Sequence, residues 1–277
     1  MKHVPSSEQQ LAARLVAELQ PLLTRPPVAS NPIGVVQAGM VLERAFGRLG
    51  FNVKRHRGSG VADVLIAERG GESEFCIGLS AHYDIEEAGQ GWVTEPFSVV
   101  ERGGRLHARG IADNLGPLLL RLMALETVSV SPRLLFVVQG EEEIGSSWAH
   151  TLYPSLQLPR VDLWLEETGY YEEDGTQRLL ARRTERLPRN LREALEASAR
   201  SWGRSLAAED RYMNKAFGTQ KCPFLTHLVG DAPYLAIGPN DSRSFIHRPN
   251  ESLAIANLAP SVHQFHELLK AAAKGAT

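Results

Sequence analysis

Apolar residues recur along several segments of the chain with the spacing of one helix face. In the first of these segments, leucine and valine occupy positions 11, 15, 16, 19 and 22, and the stripe ends before two prolines at 26 and 27. Positions three and four residues apart lie on the same side of an α-helix. Stripes of this kind predict five helices, over Glu8–Leu23, Val35–Leu49, Leu115–Glu126, Leu191–Trp202 and Leu258–Lys270.

Short aliphatic runs lie between these helices and have the length of strands. They predict strands over Phe51–Arg55, Val61–Ala67, Phe75–Ser80, Leu134–Val138, Val161–Leu165 and Tyr234–Ile237. The run LLFVV is apolar on both faces, as expected for a central strand that helices cover on each side. Strands that alternate with helices predict an α/β fold, here a three-layer α/β/α sandwich around a mixed, mostly parallel sheet. With 277 residues, 43% of them hydrophobic, we expect one domain spanning 1–277.

The overall charge argues against a general attraction to nucleic acid or to anionic membranes. Lysine and arginine total 30 against 32 aspartate and glutamate residues, a formal net charge of −2. The two cysteines, Cys76 and Cys222, stand far apart, and we interpret them as reduced thiols. The first residues lack the apolar core of a signal peptide, and no run reaches the roughly 18 apolar residues of a membrane span. We therefore expect a cytoplasmic protein.

Three of the predicted strands are followed by acidic residues or histidine. His82 and Asp84 follow one strand, Glu141–Glu143 follow LLFVV, and Glu166 and Glu167 follow a third. Ligands of open α/β sheets bind beyond the carboxyl ends of the strands, so these side chains should converge. Carboxylates gathered in one crevice repel each other and require a cation. Imidazole with carboxylate suits zinc, with cobalt or manganese as substitutes.

The loop before the third helix contains a further candidate ligand. Asp113 and Asn114 lie between Gly110 and Gly116, directly before Leu115. Either residue could cap the helix, because a side-chain oxygen there accepts a backbone N–H of the first turn. A glycine-bounded loop can equally bring a carboxylate up to a metal ion. The residues alone leave both interpretations open.

Several ordered motifs together resemble one enzyme family. The segments SAHYDIEEAG, WVTEPFSVV, LHARGIADNLGP, FVVQGEEEIGS, LWLEETG and FIHRPNE resemble the aminoacylase and carboxypeptidase family of co-catalytic zinc hydrolases. Its members include acetylornithine deacetylase, succinyl-diaminopimelate desuccinylase and glutamate carboxypeptidase. The resemblance runs from about Glu8 to Leu269 and implies a zinc-exopeptidase-like fold. It also implies two zinc ions per chain that activate a water against an amide bond.

The resemblance assigns five metal ligands. His82 and Glu167 match ligands of the first metal, Glu143 and His247 match ligands of the second, and Asp113 matches the carboxylate that bridges both. The remaining histidines are interpreted as surface or packing residues: His3, His56, His107, His150, His227, His263 and His266.

Two carboxylates have other roles in the family pattern. Glu142, the first of the pair before Ile144-Gly145-Ser146, matches the general base. Asp84 matches the carboxylate that orients the first-metal histidine. Glu141 matches a less critical position, and Glu166 is the rival of its neighbour Glu167.

The chain departs from the family in one segment. Members of the family carry an inserted lid domain that mediates dimerisation, helps hold the substrate and supplies a histidine that stabilises the oxyanion. Here only Thr184–Arg189 separate LLARR from the next predicted helix. The lid is therefore expected to be missing, and the protein to be a monomer or an oligomer formed through another surface.

Four functional hypotheses follow. The leading one is hydrolysis of an amide bond in a small peptide or an N-acyl amino acid. A metal-dependent aminopeptidase is the second, because single-domain aminopeptidases of the same clan work without a lid. An acyl-transfer or ring-closing enzyme is the third, and a metal-binding scaffold without catalysis is the fourth.

Overall fold

Helices form where the apolar stripes predict them. The computed structural model describes residues 7–58, 62–166, 169–210, 216–217 and 220–275. Its α-helices in those ranges are α1 (Ser7–Leu23), α2 (Pro32–Arg48), α3 (Leu115–Thr127), α4 (Ser147–Leu152), α5 (Arg189–Ser201) and α6 (Ile255–Ala273). The five predicted helices correspond to α1, α2, α3, α5 and α6. Helix α2 begins earlier than predicted because the Asn31 side chain accepts the Gly34 N–H (3.3 Å) ahead of Pro32 in the first turn.

The strands form one large mixed sheet and two small ones. Their bounds are β1 (Asn52–Arg57), β2 (Asp63–Arg69), β3 (Cys76–His82), β4 (Val100–Arg102), β5 (Arg105–His107), β6 (Arg133–Gln139), β7 (Leu163–Glu166), β8 (Tyr170–Tyr171), β9 (Thr176–Arg182), β10 (Ser205–Asp210), β11 (Ala216–Phe217), β12 (Gln220–Lys221), β13 (Tyr234–Ala236), β14 (Asn240–Asp241) and β15 (Ser252–Ala254). The large sheet has the order β1-β2-β6-β3-β7-β13-β9-β8-β14, with β10 beside β9. Its central strands β6, β3, β7 and β13 run parallel.

The sheet separates two hydrophobic cores, which confirms the predicted layered α/β fold. On β6, Phe136 and Val138 belong to the core shared with α1, α2, α3, α5 and α6, whereas Leu135 and Val137 belong to the core on the opposite face. Alternate side chains of a strand point to opposite faces. The second core is covered by α4 and the helical turn Phe224–Leu228. LLFVV is therefore apolar throughout because both of its faces are buried.

A glycine in the central strand β3 allows the neighbouring strand to place a large ring over it. Gly78 is the register partner of Trp164 on β7, and a Cβ at position 78 would lie 2.5 Å from the Trp164 ring. Gly78→Ala should therefore lower the free energy of unfolding by about 1–3 kcal/mol, the usual cost of overpacking a filled core. Urea denaturation measures this loss. Gly47→Ala is the control, because a Cβ there meets nothing within 4 Å; an equal loss in both variants would contradict the packing argument.

The small sheet β4-β5-β15 connects the two loops that matter most for the site. Strand β5 leads into the loop with Asp113, and β15 follows the loop with His247. The two strands pair antiparallel, with Ser252 opposite His107. These three-residue strands were not predicted, because segments so short show no clear alternation. Their pairing brings two loops distant in sequence to one place.

The segment expected to replace the lid is short in the structure. Thr184–Arg186 form a single 3-10 turn, and α5 begins at Arg189. None of the helices in the described ranges is both long enough and apolar enough to cross a membrane. The first residue of the predicted strand Val61–Ala67 lies outside the described residues.

Candidate metal centre

His82 ends the central strand β3 and is buried at the carboxyl edge of the sheet. Its Nε2 lies 3.0 Å from Asp113 Oδ1. Its Nδ1 lies 2.9 Å from the backbone oxygen of Asp84 and 3.4 Å from Asp84 Oδ1. Contacts on both ring nitrogens fix the orientation of the imidazole.

Asp113 lies between two histidines. While Oδ1 contacts His82, its Oδ2 lies 3.2 Å from His247 Nε2. Asn114 occupies the N-cap position of α3, where no side-chain capping hydrogen bond forms. The sequence left two interpretations open, a helix cap or a metal ligand. In the structure the Asp113 carboxylate faces the histidines rather than the helix.

The three consecutive glutamates are directed to different partners. The Glu141 carboxylate accepts the backbone N–H of Trp148 at the start of α4 and so faces that helix. Asp84 accepts the backbone N–H groups of Glu142 (3.0 Å) and Glu143 (2.9 Å) through its two oxygens. The Glu143 carboxylate contacts His247 Nε2 at 3.0 Å. Asp84 thus holds the turn that carries Glu142 and Glu143, in addition to contacting His82.

Burial and crowded charge shift the pKa values of these groups. Burial raises the pKa of Glu142 to about 7, with the nearby Asp113 and Glu143 adding to the rise and His82 opposing it. Burial also raises the pKa of Glu143, which the contact with His247 opposes. Burial alone would raise the pKa of Asp113, but hydrogen bonds with His247 and His82 lower it. Hydrogen bonds with Asp113 and Glu143 raise the pKa of His247 to about 10. The site therefore favours positive charge among its carboxylates.

The donor atoms suit a metal ion. His82, Asp113 and Glu143 each offer a ligand atom, and these three atoms lie within 4.8 Å of one another. The second carboxylate oxygen of Glu143, Oε1, is buried and has no hydrogen-bond partner among the described residues. A buried carboxylate oxygen without a partner carries an energetic cost that coordination of a cation would remove. Nitrogen and oxygen donors of this kind are typical zinc ligands.

Glu167 lies outside the described residues, as does His3. Its rival Glu166 ends β7, and its carboxylate accepts the hydroxyl of Tyr234 on the adjacent strand β13. His247 lies in the loop after β14 and is about half exposed, in contrast to the buried His82.

Two charged residues beside the site were not predicted. Arg109 and Glu251 form a buried ion pair with an N–O distance of 2.7 Å, and Glu251 also contacts the loop that carries Asp113. Both lie inside the motifs LHARGIADNLGP and FIHRPNE. Membership in these motifs drew no attention to either residue, because a charged residue in a motif gives no indication from sequence alone that it is buried.

A cavity of about 1,120 Å³ lies at the other end of the sheet. Phe75, Arg133 and Pro233 in its lining stand at or directly before the first residues of β3, β6 and β13. The metal-ligand candidates lie at the carboxyl ends of the same parallel strands. The cavity is therefore separate from the candidate metal centre.

Residues 78–271 match the model of peptidase family M20/M25/M40. The match covers well over half of the chain and includes every predicted site residue. The chain belongs to peptidase family M20/M25/M40. The resemblance predicted from the sequence is thereby confirmed, and the chain is a member of a family of metal-dependent hydrolases.

Curated members of the M20 family match over part of their length. The β-Ala-His dipeptidase of Mus musculus is 32% identical over 94 residues, 31% of this chain and 19% of that protein. The succinyl-diaminopimelate desuccinylase of Acidiphilium cryptum is 32% identical over 108 residues, 38% of this chain and 29% of that protein. The aligned segments thus span less than a third of these relatives' own lengths.

A solved structure shows the same fold. The structure of a di-peptidase from Saccharomyces cerevisiae superposes with a TM-score of 0.77, covers 97% of both chains and shares 12% sequence identity. At this identity the similarity concerns the fold alone. It confirms the α/β architecture that the sequence pattern predicted.

Proposed function

We propose that the protein is a di-zinc amidohydrolase that cleaves small peptides or N-acyl amino acids. The observation that carries the proposal is the Asp113 carboxylate, held between His82 and His247 with one oxygen toward each. A carboxylate that faces two imidazoles through its two oxygens is suited to bridge two metal ions. The family supports a peptidase, and the relatives include a dipeptidase and a desuccinylase.

The ligands divide into two groups around Asp113. His82 and Glu167 would hold one ion, with Glu166 as the alternative to Glu167. Glu143 and His247, already in contact at 3.0 Å, would hold the other. Two zinc ions, or cobalt or manganese in their place, would polarise the scissile carbonyl and make a water more acidic.

Glu142 is the proposed general base. Its backbone is fixed by Asp84, and burial raises the pKa of its carboxyl to about 7. A base whose pKa lies near neutrality takes a proton from the attacking water and returns it to the leaving amine. Asp84 positions this base through the backbone N–H of Glu142 and orients His82 as well.

We also propose that residues 1–277 form one catalytic domain. In this proposal the short turn Thr184–Arg186 takes the place of the family's lid, and no lid histidine is assigned to the oxyanion. Removing one oxyanion donor costs on the order of 100- to 1,000-fold in kcat, so stabilisation of the oxyanion would fall to the ions and the local loops. A monomer, or an oligomer formed through a different surface, belongs to the same proposal.

The proposal that the short turn Thr184–Arg186 replaces the lid leads to a prediction about substrate size. An enzyme without a closing domain relies on contacts along the crevice, including the loop around Trp92–Phe97, so substrates extending past the scissile bond should bind better. We expect short peptides to exceed N-acetyl amino acids in kcat/KM. A hydrolysis screen over both classes with the zinc-loaded protein measures this, with a chelator-treated sample as the control.

Each pattern in the screen has a distinct meaning. Cleavage limited to peptides with a free N-terminus would favour the aminopeptidase alternative over the deacylase. Efficient turnover of a short N-acyl amino acid with refusal of longer peptides would contradict the open site. Zinc-independent hydrolysis, or none of either class, would contradict the proposed function.

A further inference from the structure

The proposed reaction by itself assigns no role to the buried ion pair between Arg109 and Glu251. Its side chains are only 2% and 1% exposed, and the nearest nitrogen and oxygen are 2.7 Å apart. Taking two charges out of water is costly unless further hydrogen bonds satisfy the remaining donors and acceptors. The additional partners of this pair therefore indicate what it does.

Glu251 is bound to the backbone that presents Asp113. Its Oε1 accepts the N–H groups of Ala112 (2.8 Å) and Asp113 (3.1 Å), and its Oε2 accepts the N–H of Gly110 (3.2 Å). Three backbone donors on one carboxylate fix the orientation of the peptide groups that precede the Asp113 side chain. The carboxylate thus acts on Asp113 through its backbone.

Arg109 binds the segment that follows Asp84. One of its terminal nitrogens donates to the backbone oxygens of Glu87 (3.2 Å) and Ala88 (3.4 Å), and its guanidinium lies 5.3 Å from the Trp92 ring. The pair therefore extends from the Asp113 loop to the segment after β3.

Glu251 also limits the freedom of the His247 loop, which it ends. His247 has a left-handed backbone conformation, with φ of 59°, and Asn250 has φ of 64°. Asparagine tolerates this conformation, but a histidine holds it only where its surroundings impose it. The Asn250 side chain accepts the N–H of Val93 at 2.8 Å, and the next residue, Glu251, is anchored by Arg109.

We infer that Arg109 and Glu251 are a positioning pair that sets the Asp113 carboxylate relative to His247 and so determines the affinity for zinc. The inference rests on the proposed function, because it concerns the same metal centre. The pair connects three segments that are distant in sequence: the loop that carries Asp113, the segment that follows His82 and Asp84, and the loop that carries His247. A glutamine at position 251 would lack the negative charge of the carboxylate. Its NH2 group is a donor and would face either Arg109 or the backbone N–H groups, all of which are donors too.

The test compares Glu251→Gln with the wild-type protein in Zn²⁺ competition against a chromophoric chelator. Outer partners of metal ligands typically contribute about 10- to 100-fold in metal affinity, and we expect a loss of that size. The visible absorption spectrum of the Co²⁺-loaded protein should change as well, because the ligand geometry changes. Asp63→Asn is the matched control: Asp63 pairs with Arg55 at 3.4 Å, between β1 and β2 at the edge of the sheet.

The outcomes separate the inference from the function on which it rests. If the wild-type protein binds no Zn²⁺, the proposed function fails. If the wild-type protein binds Zn²⁺ and Glu251→Gln has the same Zn²⁺ affinity and the same Co²⁺ spectrum, only the inference is overturned. The inference is also overturned if Asp63→Asn loses as much Zn²⁺ affinity as Glu251→Gln. If Glu251→Gln does not fold, Arg109→Lys decides, since lysine keeps the charge but loses the fork that reaches Glu87 and Ala88. Reduced affinity in that variant supports the inference, and unchanged affinity overturns it.

Discussion

Replacing Glu142 by glutamine is expected to abolish nearly all turnover while leaving the metal content unchanged. Glutamine keeps the shape of the side chain but cannot accept a proton, and proton transfer by a positioned base contributes about 100- to 10,000-fold. The Glu142 carboxylate is assigned no metal, and its backbone stays bonded to Asp84 in the variant. Steady-state kinetics together with metal analysis of the same sample measure both quantities.

Glu143→Gln is the matched control, one residue further along the same turn. Its carboxylate contacts His247, so this variant should lose bound metal. Loss of metal in Glu142→Gln and its retention in Glu143→Gln would show that the roles of the two glutamates are exchanged.

Replacing Arg109 by methionine is expected to lower the free energy of unfolding by about 3–5 kcal/mol, the usual result of removing one partner of a buried ion pair. Glu251 would remain buried without its cation, and two backbone oxygens would lose their donor. Urea denaturation of chelator-treated protein measures the change without the contribution of bound metal.

Arg189→Met is the control for this second prediction. Arg189 pairs with Glu193 on the surface of α5, with side chains 84% and 58% exposed. Exposed pairs of this kind contribute about 0–1 kcal/mol. Similar small losses in both variants would mean that the buried pair contributes little to stability.

The fold could be predicted because its main elements have strong periodic signals. The helix stripes and the doubly apolar LLFVV run identified five helices and the centre of the sheet. The short strands β4, β5 and β15 escaped prediction, since three residues cannot show a period. Because these strands were not predicted, the pairing that brings the Asp113 loop and the His247 loop together was not predicted either.

The part of the candidate site that could be predicted consists of the side chains that directly follow predicted strands. His82 and the three glutamates follow β3 and β6, so the rule for open sheets gathers them. Asp113 was ambiguous, because a residue before a helix is equally suited to capping it. Only the three-dimensional contacts with His82 and His247 distinguish the two roles. The positioning pair Arg109–Glu251 could not be predicted, because the sequence does not show that these two charged residues are buried against each other.

The number of divalent ions per chain tests the central claim most directly. Wild-type protein and His247→Ala should both be dialysed against zinc and analysed for bound metal. A paired site bridged by Asp113 predicts about two ions per wild-type chain, and about one in the variant because His82 keeps its own contacts with Asp113. A wild-type content that never exceeds one ion and does not change in His247→Ala would contradict the paired site.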